Sequence, residues 1–198
     1  RGPTLNLLSN STAAEAGAAT MFNVNKYGLT LGNDASVNSS SYTDVMWGWQ
    51  AGQGTTSTNT SGTITSTTSV NATAGFSVVT FTCQTSGTGT VGHGLGVAPS
   101  LILLKLRTNV NNWDVYHSSV GNTKVLYLNL TNAATTDSTM WNNTSPTSSV
   151  FTLGTYFAGA NQNGVAYCFA AVKGYSAFGS YTANNSSDGP FIYCGFRP

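Results

Sequence analysis

Phe76-Ser77-Val78-Val79-Thr80-Phe81-Thr82 decides the fold class. It is filled with β-branched and aromatic residues and runs into the turn-prone Gln84-Thr85-Ser86-Gly87-Thr88-Gly89, the pattern of a strand and its exit. Working outward, similar runs stand at 101–107, 113–118, 124–130, 150–153, 165–172, 177–181 and 191–196, separated by Gly, Asn, Ser and Pro clusters. Short strands recurring in this way predict an all-β protein, an antiparallel, jelly-roll-like β-sandwich. Helical signal is confined to Ala13-Ala14-Glu15-Ala16-Gly17-Ala18-Ala19, which is too short to be stable alone. Residues 52–74, where one Ile, one Val and two Ala stand amid Gly, Ser and Thr, read as an extended linker with an edge strand at 63–66.

An internal repeat sets the domain organisation. Leu5-Asn6-Leu7 returns as Leu128-Asn129-Leu130, and Leu29-Thr30-Leu31-Gly32 as Phe151-Thr152-Leu153-Gly154. Val45-Met46-Trp47-Gly48-Trp49 corresponds to Val165-Ala166-Tyr167-Cys168-Phe169. A second set of matches starts where the first stops: Gly75-Phe76-Ser77 with Gly174-Tyr175-Ser176, and Gly96-Val97-Ala98-Pro99 with Gly195-Phe196-Arg197-Pro198. Residues 75–173 thus read as one complete unit, 1–51 as the second half of a preceding unit and 174–198 as the first half of a following one. Neither half can bury an apolar face alone, so 1–51 and 174–198 are expected to pair into a second sandwich, within one chain or between copies.

Composition excludes several classes of function. Only 7% of the 198 residues are charged, against roughly 25% in ordinary domains, and the formal net charge is +1. Seven scattered Lys and Arg form no patch for nucleic acid. The longest aliphatic run, Leu101-Ile102-Leu103-Leu104, stops at Lys105, so no helix inserts into a membrane. With Arg1 in place of an initiator Met and no leader pattern, the chain reads as processed or partial. Low charge itself suits packing beside many copies of the same chain, because self-repulsion is small.

Catalytic and cofactor chemistry is also poorly provided for. Glu15, Asp34, Asp44, Asp114, Asp137 and Asp188 lie in separate segments and offer no carboxylate pair for glycoside cleavage. In Asp114-Val115-Tyr116-His117-Ser118, strand alternation puts His117 on the face opposite Asp114, Tyr116 and Ser118, which separates a base from its nucleophile. Gly92-His93-Gly94-Leu95-Gly96 lacks the spacing of a phosphate loop, and His93 reads as a locally hydrogen-bonded strand-end residue. Cys83, Cys168 and Cys194, an odd number without CxxC spacing, read as buried free thiols, which fits a reducing cytoplasm during assembly. No catalytic residue, cofactor or metal is expected.

The aromatic residues carry the remaining functional readings. Trp47 and Trp49 face the same side of a strand, either as a buried cluster or as an exposed stacking platform. Trp113 and Tyr116 fall on opposite faces, one towards the core and one towards a surface or interface. Trp141 and Asn142, in a polar stretch, and Tyr156 and Phe157, in a loop, are the candidate contacts for a glycan or protein partner.

Several long motifs, in order, resemble the repeat domain of tailed-phage virion proteins. They are 75–81, Val91-Gly92-His93-Gly94-Leu95-Gly96-Val97-Ala98-Pro99, Trp113-Asp114-Val115-Tyr116-His117, Trp141-Asn142-Asn143-Thr144-Ser145-Pro146-Thr147 and the C-terminal 174–198. The resemblance implies a structural or adhesive virion part, without catalytic residues to carry over. The loop Gly154-Thr155-Tyr156-Phe157-Ala158-Gly159-Ala160-Asn161 departs from it by carrying two adjacent aromatics. The expectation is a non-enzymatic component of a tail fibre or surface appendage, exposed on the particle and serving host attachment. The alternative is a capsid-associated decoration protein that clamps neighbouring subunits. Expected partners are copies of itself, most plausibly as a trimer, other virion proteins and a host-surface glycan.

Overall fold

Strand pairing places Phe76–Thr82 next to the middle of an eight-stranded antiparallel sheet. The computed structural model describes residues 5–17, 22–25, 28–35, 37–52 and 54–197. In chain order the strands are β1 (Leu5–Asn6), β2 (Ala16–Gly17), β3 (Phe22–Asn25), β4 (Gly28–Leu31), β5 (Ser57–Asn59), β6 (Ser66–Asn71), β7 (Phe76–Thr82) and β8 (Gly89–Gly92). They continue with β9 (Leu101–Leu106), β10 (Trp113–His117), β11 (Lys124–Tyr127), β12 (Thr135–Thr136), β13 (Val150–Leu153) and β14 (Asn163–Phe169). A one-turn helix α1 (Ser138–Trp141) and a 3-10 turn (Thr155–Phe157) complete the described elements. The large sheet has the order β12-β11-β10-β9-β14-β7-β6-β5, and β8 pairs with β13 in a second, smaller sheet. The protein is an all-β sandwich of unequal layers, eight strands facing two strands, α1 and the 3-10 turn.

Alternation along the strands builds the inner face. In register across the sheet, Val79 lies opposite Ala166, Ala166 opposite Leu104, and Leu104 opposite Asp114. The next row runs from Phe81 through Gly164 to Leu106. Val91, Phe151, Leu153, Met140, Trp141 and Phe157 close over these rows from the smaller layer, and all belong to one buried cluster. Each fully buried Phe or Leu contributes about 1.5–3 kcal/mol from water exclusion. Gly164 is required in its row: a Cβ there would stand 2.5 Å from the edge of the Phe81 ring. Gly154 likewise lets the 3-10 turn lie against the carbonyl of Thr139 in α1.

The segment 52–74 is not a linker. Ser66–Asn71 pairs along its full length with β7, β5 adds a further strand, and Ile64 enters the core through a bridge to Val91. Ser66 and Thr68 are buried on the inner face, where Ser66 Oγ donates to the carbonyl of Gly92 at 2.8 Å. Small hydroxyl side chains here do what apolar ones do elsewhere, because each finds a partner inside the sandwich. Residues 75–173 are therefore complete only with 57–71. The expected strand at 63–66 lies a few residues early.

The terminal segments fold differently from the unit whose sequence they echo. Within 1–51, β1 pairs with β2 and β3 with β4 as two hairpins, while 42–50 contains no strand. Residues 174–197 contain none either, so the runs at 177–181 and 191–196 are not strands in the single chain. The alanine-rich stretch is no helix where it is described, since Ala16–Gly17 is β2; Ala18, Ala19 and the terminal Pro198 lie outside the described residues.

Residues 8–15 strap the outer face of β9 and β10. Trp113 Nε1 donates to the carbonyl of Leu8 at 2.9 Å, and the amide of Asn111 to that of Thr12 at 2.9 Å. Lys105 Nζ donates to the carbonyls of Thr12, Leu106 and Asn109 at 2.9–3.2 Å. Arg107 contacts Glu15 Oε2 through Nε and Nη2, the latter at 2.6 Å. The strap explains why Trp113 and Tyr116 are both buried although they point to opposite faces.

Candidate functional site

The four candidate contact residues separate into two buried and two exposed. Asp137 caps α1 by accepting from the Thr139 amide at 2.8 Å, and Asn142 ends the helix in the left-handed conformation at φ 51°. Capping sets the phase of the single turn and directs Trp141 inward. Trp141 is 2% exposed, edge-on to Tyr116 at 5.9 Å and tilted against Phe157 at 5.9 Å. Phe157 is 1% exposed. Both were candidates for surface contact, and both are core residues, because the 3-10 turn is pinned to α1 by the Gly154 amide donating to the Met140 carbonyl at 2.7 Å.

Asn142 and Tyr156 remain on the surface. Asn142 is exposed and is followed by Asn143, also left-handed, so two amide side chains project from one tight turn. Tyr156 is 41% exposed, and its hydroxyl donates to Asn111 Oδ1 at 2.6 Å. Burial, with the negative charge of Asp114 next in weight, pushes that hydroxyl up to about 12. It is a hydrogen-bond donor at any ordinary pH. The exposed amides of Asn142 and Asn143 and the ring of Tyr156 can meet a polyhydroxylated ligand, amides by hydrogen bonds and the ring by stacking.

A larger concavity lies on the outer face of the big sheet. It is a groove of about 1190 Å³ whose lining includes Trp47, Trp49, Leu103, Tyr167, Phe169 and Phe178. Trp47 and Trp49 stack on each other at 6.3 Å and are 75% and 59% exposed, so the pair is not the buried cluster that was one of its two expected readings. Trp49 meets Phe169 edge-on at 6.0 Å, and Phe178 approaches the same ring at 6.5 Å. Segments 42–50 and 174–178 thus reach one groove from the two ends of the chain. The signal for it was in the sequence: Leu101-Ile102-Leu103-Leu104 is apolar on both strand faces, which a sheet exposed on its outer side would not be.

His93 is buried, with Nε2 3.1 Å from the Thr147 carbonyl and Nδ1 accepting from the Leu95 amide, and burial lowers its pKa. The bond from Leu95 is the expected local one, and the contact with Thr147 adds a partner on a distant loop. Asp114 is fully buried on the inner face with no hydrogen-bond partner at either oxygen. Burial pushes its carboxyl up to about 8, against the opposing pull of Lys105, so it is uncharged at neutral pH. His117 is on the other side of the sheet, as strand alternation predicts. Among the described residues, no three His, Cys, Asp or Glu side chains group as metal ligands, and no helix is long and apolar enough to cross a membrane. Cys83 and Cys168 are buried, whereas Cys194 is partly exposed, unlike the expected third buried thiol.

A family profile described as Domain of unknown function (DUF7483) matches residues 1–198. The chain belongs to this family. No curated protein and no solved structure matches it. Of this DUF7483 chain's candidate residues, Asn142 and Tyr156 are exposed at separate places, and the aromatic groove is a further open surface.

Proposed function

We propose that this protein is a non-enzymatic structural component of a phage virion, part of a tail fibre or related surface appendage, that assembles with copies of itself and contributes to host attachment. The observation that carries the reading is the character of its surface: a well-packed β unit with almost no charge displays large aromatic side chains at Tyr156, over the groove and along the terminal segments. Such a surface suits close association with like chains, where edge strands and apolar faces are covered by neighbours. The ordered motifs resembling tailed-phage virion repeats supply the particle. Attachment would act through many weak contacts between exposed amides or rings and surface saccharides, multiplied by copy number. No residue is assigned a catalytic role.

Cryo-electron microscopy of the particle tests the location. Density on a tail-borne fibre is expected; density on the head lattice alone would replace this reading with that of a decoration protein clamping capsid subunits. A glycan array probed with multimeric protein tests adhesion, and binding is expected to fall at least tenfold in Tyr156→Ala and in Asn142→Ala. Binding undiminished in both variants removes this loop surface from the attachment role.

A further inference from the structure

We infer that segment 42–50 of one copy pairs as an antiparallel strand with segment 174–182 of a second copy, in the register that β14 and β7 use inside the sandwich. The inference rests on reading the protein as a multimer and names the interface. Val45-Met46-Trp47-Gly48-Trp49 repeats Val165-Ala166-Tyr167-Cys168-Phe169, which is most of β14, and Gly174-Tyr175-Ser176 repeats Gly75-Phe76-Ser77 at the start of β7. In the sandwich these are neighbours: Phe169 lies opposite Phe76, Tyr167 opposite Val78, and Ala166 opposite Val79. Carried over, Trp49 lies opposite Tyr175, Trp47 opposite Ala177, and Met46 opposite Phe178.

In the single chain this pairing is not made. Neither segment is a strand, and among the described residues no backbone hydrogen bond joins them, although both reach the groove beside Phe169. What they leave exposed is large. Tyr42, Val45, Trp47 and Tyr181 are each more than two-thirds exposed, and Met46, Trp49 and Tyr175 more than half. At about 150–250 Å² for a fully buried aromatic side chain, the two segments offer on the order of 1,000 Å², which meets the roughly 800 Å² per partner that a stable interface requires. Pairing within one chain would create a lone two-stranded ribbon with those side chains still in water, and such a ribbon is marginal. Exchange between copies brings two ribbons together, so each covers the other's apolar face and every strand gains a partner. Charge does not oppose it, since Asp44 is the single charged residue within 42–50 and there is none within 174–182.

Register-specific disulfide trapping tests the proposal in a Cys194→Ser background, where the two remaining thiols are buried. Met46→Cys and Phe178→Cys are made in separate full-length chains, mixed and oxidised, so any covalent dimer joining 46 to 178 is intermolecular. A dimer on a non-reducing gel is expected, with at least a tenfold lower yield when Ala177→Cys replaces Phe178→Cys, because a one-residue slip turns the side chain to the other face. No dimer, equal yield from the slipped pair, or a link formed only inside a chain carrying both cysteines would each overturn it. Sedimentation of the unaltered protein separates the two levels: a multimer without the 46–178 link refutes this interface alone, whereas a monomer refutes the multimeric reading as well.

Discussion

The rings of Trp141 and Phe157 meet in the core with centroids 5.9 Å apart and planes inclined by 44°. One comes from a four-residue helix and the other from a three-residue turn, and neither element would persist without the contact. Burial there makes stability the property to measure. Trp141→Ala is expected to cost about 3–5 kcal/mol in urea unfolding. Tyr156→Ala, which loses one hydrogen bond and a half-exposed ring, is expected to cost about 1 kcal/mol. An unchanged unfolding midpoint in Trp141→Ala would contradict the placement of this residue in the core.

Asp114 makes stability depend on pH. Its carboxyl is held at about 8 in the folded chain against an ordinary 3.8, so between those values the folded state keeps a proton that the unfolded state has released. The associated stability is complete below pH about 4 and is lost as pH rises towards about 8, at up to about 1.4 kcal/mol per unit. Asp114→Asn cannot ionise. Its stability relative to the unaltered protein should improve steadily across that window and level off above it, with the contribution of His93 common to both and cancelling. Parallel pH profiles of the two proteins would refute the assignment.

Lys105 offers a test of the strap. Its ammonium holds three backbone carbonyls, one of them from Thr12 across the outer face of the sheet. Lys105→Met keeps the stem and removes the donors, and is expected to destabilise by about 2–3 kcal/mol through the unsatisfied carbonyls. Amide exchange at Asn111, which donates to Thr12, and at Glu15, which donates to Arg107, should quicken more than exchange at Ala166 in the central strand β14. Uniform quickening would mean that the strap has no separate role.

Thiol reactivity should follow burial. Cys83 and Cys168 are pushed by burial to about 11 and about 12, whereas Cys194 is partly exposed. In native protein a thiol reagent is expected to modify one equivalent, at Cys194, with the other two appearing only on unfolding. Rapid modification of all three would show that the sandwich opens at the β7–β14 side.

Much of the sandwich could be read along the chain because strand alternation is local. Phe76–Thr82, Leu101–Leu106, Trp113–His117 and Val150–Leu153 stand where their β-branched and aromatic residues placed them. Ser66–Asn71 was hidden because its inner-face residues are hydroxylated, and only the carbonyl of Gly92 and the adjoining strands make their burial favourable. The helix at Ser138–Trp141 had a local signal, Asp137 before it and Asn142-Asn143 after it, in a stretch that also reads as a turn.

By itself, the sequence determined the all-β class, the alternation of side chains along the main strands and the scarcity of charge, since these depend on residue type and on a two-residue period. Tertiary structure decided which aromatics face water. Trp141 stands in the polar Ser138-Thr139-Met140-Trp141-Asn142-Asn143 and Trp47 in the apolar Val45-Met46-Trp47-Gly48-Trp49, yet the first is enclosed by Tyr116 and Phe157 and the second stacks in the open against Trp49. Burial is set by partners distant in the chain, as when Leu8 closes over Trp113, and no local pattern encodes that contact.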